Sequence, residues 1–307
     1  MTQTQAIALK QRLDCQICNY RVDPTNRSAF FSFPCSIRSL MNQEFQMWQC
    51  PQCQTIHCKD VVDLDYYYDQ YPFDEAKLVW PLRIIYGNLL RQLTKHGFER
   101  QSSFLDYGCG VHGLFVEYLR ERGFSNASGY DPYAPQDGLG DRATVENRQF
   151  DYISTQDVIE HVEDPNAFLR DLDRLAAPGG YILVGTPDAA NINLKRPDLA
   201  DHCYLVHAPY HLHIYTRATL EALGRKQGWE VVNFFDRKYD DTLVPCLNNR
   251  AVNAYMTVFD GSFDVLAEPL RLGKALTSPK FLFWAFFGYW FSLHAGMAVM
   301  FRKPKAN

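Results

Sequence analysis

Two acids and three glycines in this chain are spaced to hold a nucleoside. They are Asp106-Tyr107-Gly108-Cys109-Gly110-Val111-His112-Gly113, with Asp131 eighteen residues beyond Gly113. Glycines permit a sharp turn and let a ligand lie against bare amides at a helix N-terminus. An acid at the tip of the following strand suits the two hydroxyls of a ribose. The glycines alone also fit a dinucleotide site, since their spacing reads G-x-G-x-x-G. Asp106 decides between the two, because a carboxylate in the loop mouth repels a pyrophosphate but can receive the ammonium of an amino-acid moiety.

A second constellation is Cys15-Gln16-Ile17-Cys18 with Cys50-Pro51-Gln52-Cys53, 31 residues apart. Two C-x-x-C turns let Cys15, Cys18, Cys50 and Cys53 converge tetrahedrally on one zinc ion. Four thiolates leave no open position, so the expected role is structural, and Cys35, His57 and Cys58 are spare ligands. Two clusters could supply a base: Asp157, Glu160 and His161, and the run His207-Ala208-Pro209-Tyr210-His211-Leu212-His213-Ile214-Tyr215. Histidine titrates near neutrality and can take a hydroxyl proton. His211 is the leading base candidate and His161 the second, although a histidine at a helix start more often only orients its loop. His207 and Tyr210 are expected to touch the acceptor, and His213 and Tyr215 to be core residues.

These residues must be positioned by alternating strands and helices. Strands are expected over 104–107, 150–155, 181–187 and 229–235, and helices over 76–96, 165–175 and 216–228. Leu78, Leu82, Ile85, Leu89 and Leu93 mark one apolar face of the first helix, and Phe168, Leu169, Leu172 and Leu175 that of the second. Pro165 fits a first helical turn, and Pro178-Gly179-Gly180 a helix end. The alternation signals a doubly wound parallel sheet. Phe281 to Met300 is twenty residues without a formal charge. It divides into an apolar helix over 279–291 and a last antiparallel strand over 296–302, rather than a membrane span.

The acid-x-G-x-G loop, with FDYIS, DVIEHVEDP and LAAPGGYILVGTPD downstream, resembles class I S-adenosylmethionine (SAM)-dependent methyltransferases, in particular the ubiquinone-biosynthesis O-methyltransferase-like branch. The likeness runs over roughly residues 100–238. One departure is His112, where the commonest form of the motif has its third glycine; Gly113 is the alternative for that role. The resemblance implies that Asp106, Gly108, Cys109, Gly110, Asp131, Pro132 and Gln156 contact SAM. It also implies a Rossmann-like seven-stranded α/β sheet, and the Asp157–Glu160–His161 spacing is similar to a metal-binding pattern of that branch. The expected organisation is a zinc-ribbon over 1–60, a helical connector over 61–102 covering the cofactor site, and a methyltransferase domain over 103–307 with a helical insertion at 239–293.

Composition narrows the function. Of 307 residues, 47% are apolar, enough for a buried core, and the net charge of −4 gives no bulk attraction to nucleic acid. In the ribbon, Lys10, Arg12, Arg21, Arg27, Arg38 and Lys59 face Asp14, Asp23, Glu44 and Asp60, a weakly basic balance. Nine cysteines, partly in C-x-x-C pairs, suit a reducing compartment, and residues 1–14 lack the apolar core of a signal peptide, so a cytoplasmic protein is expected. The leading expectation is methyl transfer to a small molecule or a sugar- or lipid-linked acceptor, at oxygen in preference to carbon or nitrogen. The alternatives are an RNA methyltransferase gripping its substrate through the ribbon, and a non-catalytic SAM-binding scaffold. The apolar run over 279–291 leaves room for peripheral membrane contact or a homodimer seam.

Overall fold

The computed structural model describes residues 11–72, 77–135, 138–195 and 203–305. Its first strands, β1 (Phe30–Pro34), β2 (Glu44–Gln49) and β3 (Ile56–Cys58), form an antiparallel meander. Helices α1 (Leu64–Tyr68) and α2 (Trp80–Thr94) follow. The helix expected over 76–96 begins at Trp80, because Pro81 is suited to a first turn; Ala76 lies outside the described residues. Next come β4 (Phe104–Tyr107), α3 (Leu114–Glu121), β5 (Ala127–Tyr130), β6 (Phe150–Gln156), α4 (Pro165–Leu175) and β7 (Ala176–Pro187). After α5 (Cys203–Val206), β8 (His213–Ile214), α6 (Arg217–Lys226) and β9 (Glu230–Phe235), a helical stretch contains α7 (Asn249–Val258), α8 (Asp264–Ala267), α9 (Leu272–Ala275) and α10 (Pro279–Phe287). A 3-10 turn, Gly288–Phe291, leads to β10 (Gly296–Arg302).

The large sheet has the order β5-β4-β6-β7-β10-β9. That is six strands, one fewer than expected. Between β5 and β6 the chain carries Pro132, Pro135, Gly138 and Gly140, and its described residues form turns and a 3-10 turn instead of a further edge strand. Strands β4 to β7 run parallel, and β10 enters antiparallel between β7 and β9. The twenty-residue uncharged run is thereby split into a helix and a strand, and among the described residues no helix is long and apolar enough to cross a membrane.

Alternation along the strands fills two cores. Met297, Val299 and Phe301 of β10 join Ile182, Val184, Ile153 and Leu105 under α4 and α6. Ala298 and Met300 face the other way, with Leu183, Phe104 and Tyr152, under Leu89 and Leu93 of α2 and Phe115 and Leu119 of α3. Each such apolar side chain contributes about 1.5–3 kcal/mol relative to exposure. This three-layer packing fixes the C-terminal ends of β4, β5, β6 and β7 along one edge, where ligands of such sheets bind.

The N-terminal meander does not close on itself. Its last strand pairs with β8, Ile56 opposite Ile214 and His57 opposite His213, making a second sheet β1-β2-β3-β8. Arg12 adds a tie: its guanidinium donates to Cys58 O at 2.8 Å and to both oxygens of Glu163 at 2.7 and 2.8 Å. A continuous apolar cluster runs from Phe33, Ile37 and Met47 to Leu205, Val206 and Tyr210.

Candidate functional site

Gly108, Gly110 and Gly113 all have positive φ, 79°, 66° and 55°, in the left-handed region that favours glycine. A Cβ on Gly108 would sit 2.3 Å from a methyl of Val158, whereas at Gly110 nothing lies within 4 Å, so the loop opens there. Gly113 is the left-handed N-cap of α3 and therefore takes the third-glycine role that His112 does not. Asp131 braces this loop to the tip of β5. Its carboxylate accepts the Gly110 amide and the Tyr133 amide, each at 2.9 Å, with Pro132 between them. Cys109 follows Gly108 in the turn, and its Sγ comes within 2.9 Å of a Cβ built on Gly129. Gln156, at the end of β6, donates to Ser154 Oγ at 3.2 Å and to Leu183 O at 3.3 Å, occupying the space a side chain on Gly185 would need.

Asp106 lies buried at the mouth of the loop. Burial, with the Asp131 charge adding to it, pushes its carboxyl up to about 7. A cation delivered to this carboxylate would relieve both effects. Beyond it, Tyr86 and Tyr239 stack with ring centroids 6.4 Å apart, both within the field of Asp106 and Asp157. Asp157 has a positive φ of 56° and binds Lys238 through both oxygens. Burial works against the Lys238 charge, but Asp157 and Asp240 outweigh it and hold the ammonium firmly protonated.

Next to this pair stand Glu160, His161 and His211, each offering one ligating atom within 4.8 Å of the others. Glu160 is fully buried; Thr186 Oγ1 donates to one oxygen at 3.0 Å, and the other has no partner among the described residues. Burial, reinforced by Asp157, pushes its carboxyl up to about 8. His161 Nδ1 lies 3.1 Å from Tyr210 O and His211 Nδ1 lies 2.7 Å from Leu205 O. A carbonyl can only accept, so both histidines carry their proton on Nδ1 and keep a lone pair on Nε2. Burial pushes His161 down to about 4 and His211 well below the ordinary histidine range. Neutral imidazoles beside a carboxyl can take a proton or ligate a divalent cation.

The tyrosine segment before α2 divides its duties. Tyr67 turns to the meander, where its hydroxyl donates to Gln43 Oε1 at 2.6 Å. Tyr68 reaches the site: its hydroxyl is 3.1 Å from His161 Nδ1, and burial, then Tyr133, Glu160 and Asp131, push its pKa well up, so the phenol keeps its proton. It therefore spans from the Asp131 side of the cleft to His161. Packing against the meander accounts for Tyr67 but not for Tyr68. The clustering of Tyr66, Tyr67, Tyr68 and Tyr71 was the available signal for Tyr68. Lys238 was missed altogether, since nothing in a lone lysine points to a partner 81 residues earlier.

His207 and Tyr210 sit behind this front. His207 Nδ1 is 2.6 Å from Ser36 Oγ and its Nε2 is 3.0 Å from the Tyr71 hydroxyl, and its ring stacks on Tyr210. The Tyr210 hydroxyl donates to Tyr67 O at 2.8 Å. Both are buried, as are His213 and Tyr215. The four thiols of Cys15, Cys18, Cys50 and Cys53 also lie within 4.8 Å of one another. The Cys15–Cys53 and Cys18–Cys50 sulfurs are 3.5 Å apart, close to the edge of about 3.8 Å that Zn–S bonds of about 2.3 Å require in a tetrahedron. The hydrogen bond between Cys15 and Cys53 pulls the Cys53 thiol down and pushes Cys15 up, so Cys53 is the more readily deprotonated of the two.

Comparison with known proteins agrees with this geometry. Residues 83–233 match a family described as Methyltransferase domain. The ubiquinone biosynthesis O-methyltransferase of Caulobacter sp. (strain K31) is 38% identical over 126 residues, covering 32% of this chain and 50% of that protein. Norajmaline N-methyltransferase of Rauvolfia serpentina is 28% identical over 106 residues, covering 28% of this chain and 36% of that protein. The chain thus spans half or less of the length of these relatives. Among solved structures, coclaurine N-methyltransferase bound to N-methylheliamine and SAH superposes with a TM-score of 0.41 at 12% identity, covering 71% of this chain and 72% of that one, too distant to bear on function. Over residues 83–233, just under half of its length, the chain thus carries a methyltransferase domain, and these matches support a class I SAM-dependent methyltransferase.

Proposed function

We propose that this chain methylates an oxygen of a small-molecule acceptor or of a sugar- or lipid-linked one, using SAM as donor. The observation that carries this reading is the Glu160–His161–His211 group standing beside an acid-flanked glycine cradle. Bound SAM supplies an electrophilic methyl on a sulfonium. Asp106 receives its ammonium, and Asp131, whose oxygens keep free lone pairs after accepting two amides, receives the ribose hydroxyls. Tyr68 and His161 line the acceptor side. His161 Nε2, with its tautomer fixed by the Tyr210 carbonyl, takes the proton from the acceptor hydroxyl, and His211 stands behind it. The ubiquinone O-methyltransferase relatives favour oxygen over nitrogen. The cysteine cluster is read as a structural zinc centre that ties the ends of the meander together.

Calorimetry tests the donor. SAM and S-adenosylhomocysteine should bind and NAD should not, and Asp131→Ala should weaken binding by about 1.5–3 kcal/mol through lost charged hydrogen bonds. The bound ammonium favours the Asp106 carboxylate, whose carboxyl stands at about 7 in the free protein, so binding should release a proton. Affinity should then strengthen as pH rises toward neutrality and level off above it. Binding of NAD alone would sink the donor assignment.

Turnover tests the chemistry. With methyl-labelled SAM and a panel of hydroxylated acceptors, label should appear on oxygen. His161→Ala should lower the transfer rate by about 10²–10⁴-fold, the usual contribution of a general base, while leaving S-adenosylhomocysteine affinity intact. Full turnover by that variant would remove His161 from the mechanism. Elemental analysis of protein purified without chelators should find one zinc per chain, lost on Cys50→Ser; metal-free wild-type protein would refute the zinc centre.

A further inference from the structure

Helix α10 is apolar on both sides. Phe281, Ala285 and Gly288 are buried in the packing of the helical insertion. On the opposite side Phe283, Phe286, Phe287 and Trp290 recur at helical spacing and stay in water, 48%, 57%, 50% and 64% exposed, with Phe291 at 56% beside them. Their rings form one patch: Phe283 lies 5.2 Å from Phe287 and 6.5 Å from Phe291, and Phe287 lies 6.4 Å from Trp290. At about 200 Å² per aromatic side chain, roughly 500 Å² of contiguous ring surface is left unpacked, far more than scattered surface aromatics leave.

The position of this patch is set by β10. That strand runs antiparallel to β7, so its first residue, Gly296, lies opposite Pro187 at the end of β7 where the cofactor edge is. Arg237 donates to Tyr289 O at 2.8 Å, and the next residue, Lys238, holds Asp157 in the site. Ser292 donates to Asp241 Oδ2 at 2.6 Å, fastening the far end of the aromatic turn to the same rim. The patch and the cleft therefore share one edge of the molecule.

We propose that the α10 face seats this protein on the surface of an anionic lipid bilayer, and, resting on the methyltransferase reading, that its acceptor is an amphiphile presented from that bilayer. Phenylalanine and tryptophan are the residues that partition into the headgroup boundary. Charge points to the same occupant. From Pro269 to Ala295 the chain has no Asp or Glu, and Lys274 and Lys280 stand exposed at and before the start of α10. Each lysine near an anionic surface adds attraction. A second copy of the chain fits less well, since about 500 Å² per partner falls short of the roughly 800 Å² of a stable interface, and a two-fold contact would set Lys280 facing its own copy.

The test is cosedimentation of the full chain with vesicles of phosphatidylcholine alone and of phosphatidylcholine mixed with phosphatidylglycerol. Wild-type protein should bind the anionic vesicles at least about tenfold more tightly than the neutral ones. The double variant Phe286→Ser with Trp290→Ser should lose that binding, and Lys280→Glu, at an exposed position, should weaken it about tenfold. Absence of wild-type binding to either vesicle, or binding that both variants retain, overturns the proposal. So does a wild-type dimer in sedimentation that the double variant dissolves without any vesicle binding, because the face then belongs to a second copy. S-adenosylhomocysteine titration of the same samples separates the two readings: lost nucleoside binding with retained vesicle binding fails the methyltransferase assignment alone.

Discussion

The segment from His207 to Tyr215 is buried along its whole length, and its backbone is shared among three parts of the molecule. Cys58 N donates to Leu212 O at 3.0 Å from the meander, while Leu212 N donates to Glu160 O at 2.7 Å in the loop after β6. Tyr210 gives its hydroxyl to Tyr67 and its carbonyl to His161. Ser36 meets His207, and His57 meets His213 with their Nδ1 atoms 2.9 Å apart. A buried backbone group without a partner is costly, so each of these elements is needed to satisfy the others. The cysteine-bearing meander is consequently a wall of the site, since it completes the sheet on which the histidine segment rests.

That arrangement explains the electrostatics. Asp106, Glu160, Lys238, His161 and His211 sit where water is excluded, and burial is the first cause of the shifts at both carboxyls and both imidazoles. Lys238 stays charged because Asp157 and Asp240 face it, and Asp157 does so from a left-handed backbone conformation. Such conformations cost energy and persist where surroundings over-determine them. The positive pole at Lys238 and the raised carboxyls at Asp106 and Glu160 leave a cleft suited to a ligand that brings its own cation.

Much of this was legible in the sequence. The glycine loop, Asp131, the strands around it and the split of the uncharged run into helix and strand all follow from local turn chemistry and periodicity. The paired C-x-x-C spacing foretold the clustering of Cys15, Cys18, Cys50 and Cys53. What escaped the sequence depends on pairing at a distance. A two-residue strand such as β8 has no periodicity, so its union with β3 left no trace. The missing seventh strand was hidden because family likeness supplied it where Pro132, Pro135, Gly138 and Gly140 do not. Tyr67 and Tyr68 are neighbours with opposite duties, separable only by the turn of α1. His207 and Tyr210 were expected at the acceptor, but the hydrogen bonds to Ser36, Tyr71 and Tyr67 engage their polar atoms.

Hydrogen–deuterium exchange, recorded before and after chelation of the proposed zinc, addresses the dependence of the site on the meander most directly. The shared backbone predicts that chelation speeds exchange in the meander and, together with it, at Leu212, at His211 and in the loop around Glu160 and His161. Faster exchange confined to residues 12–58, with the histidine segment still protected, would show that the two sheets open independently and would contradict the account.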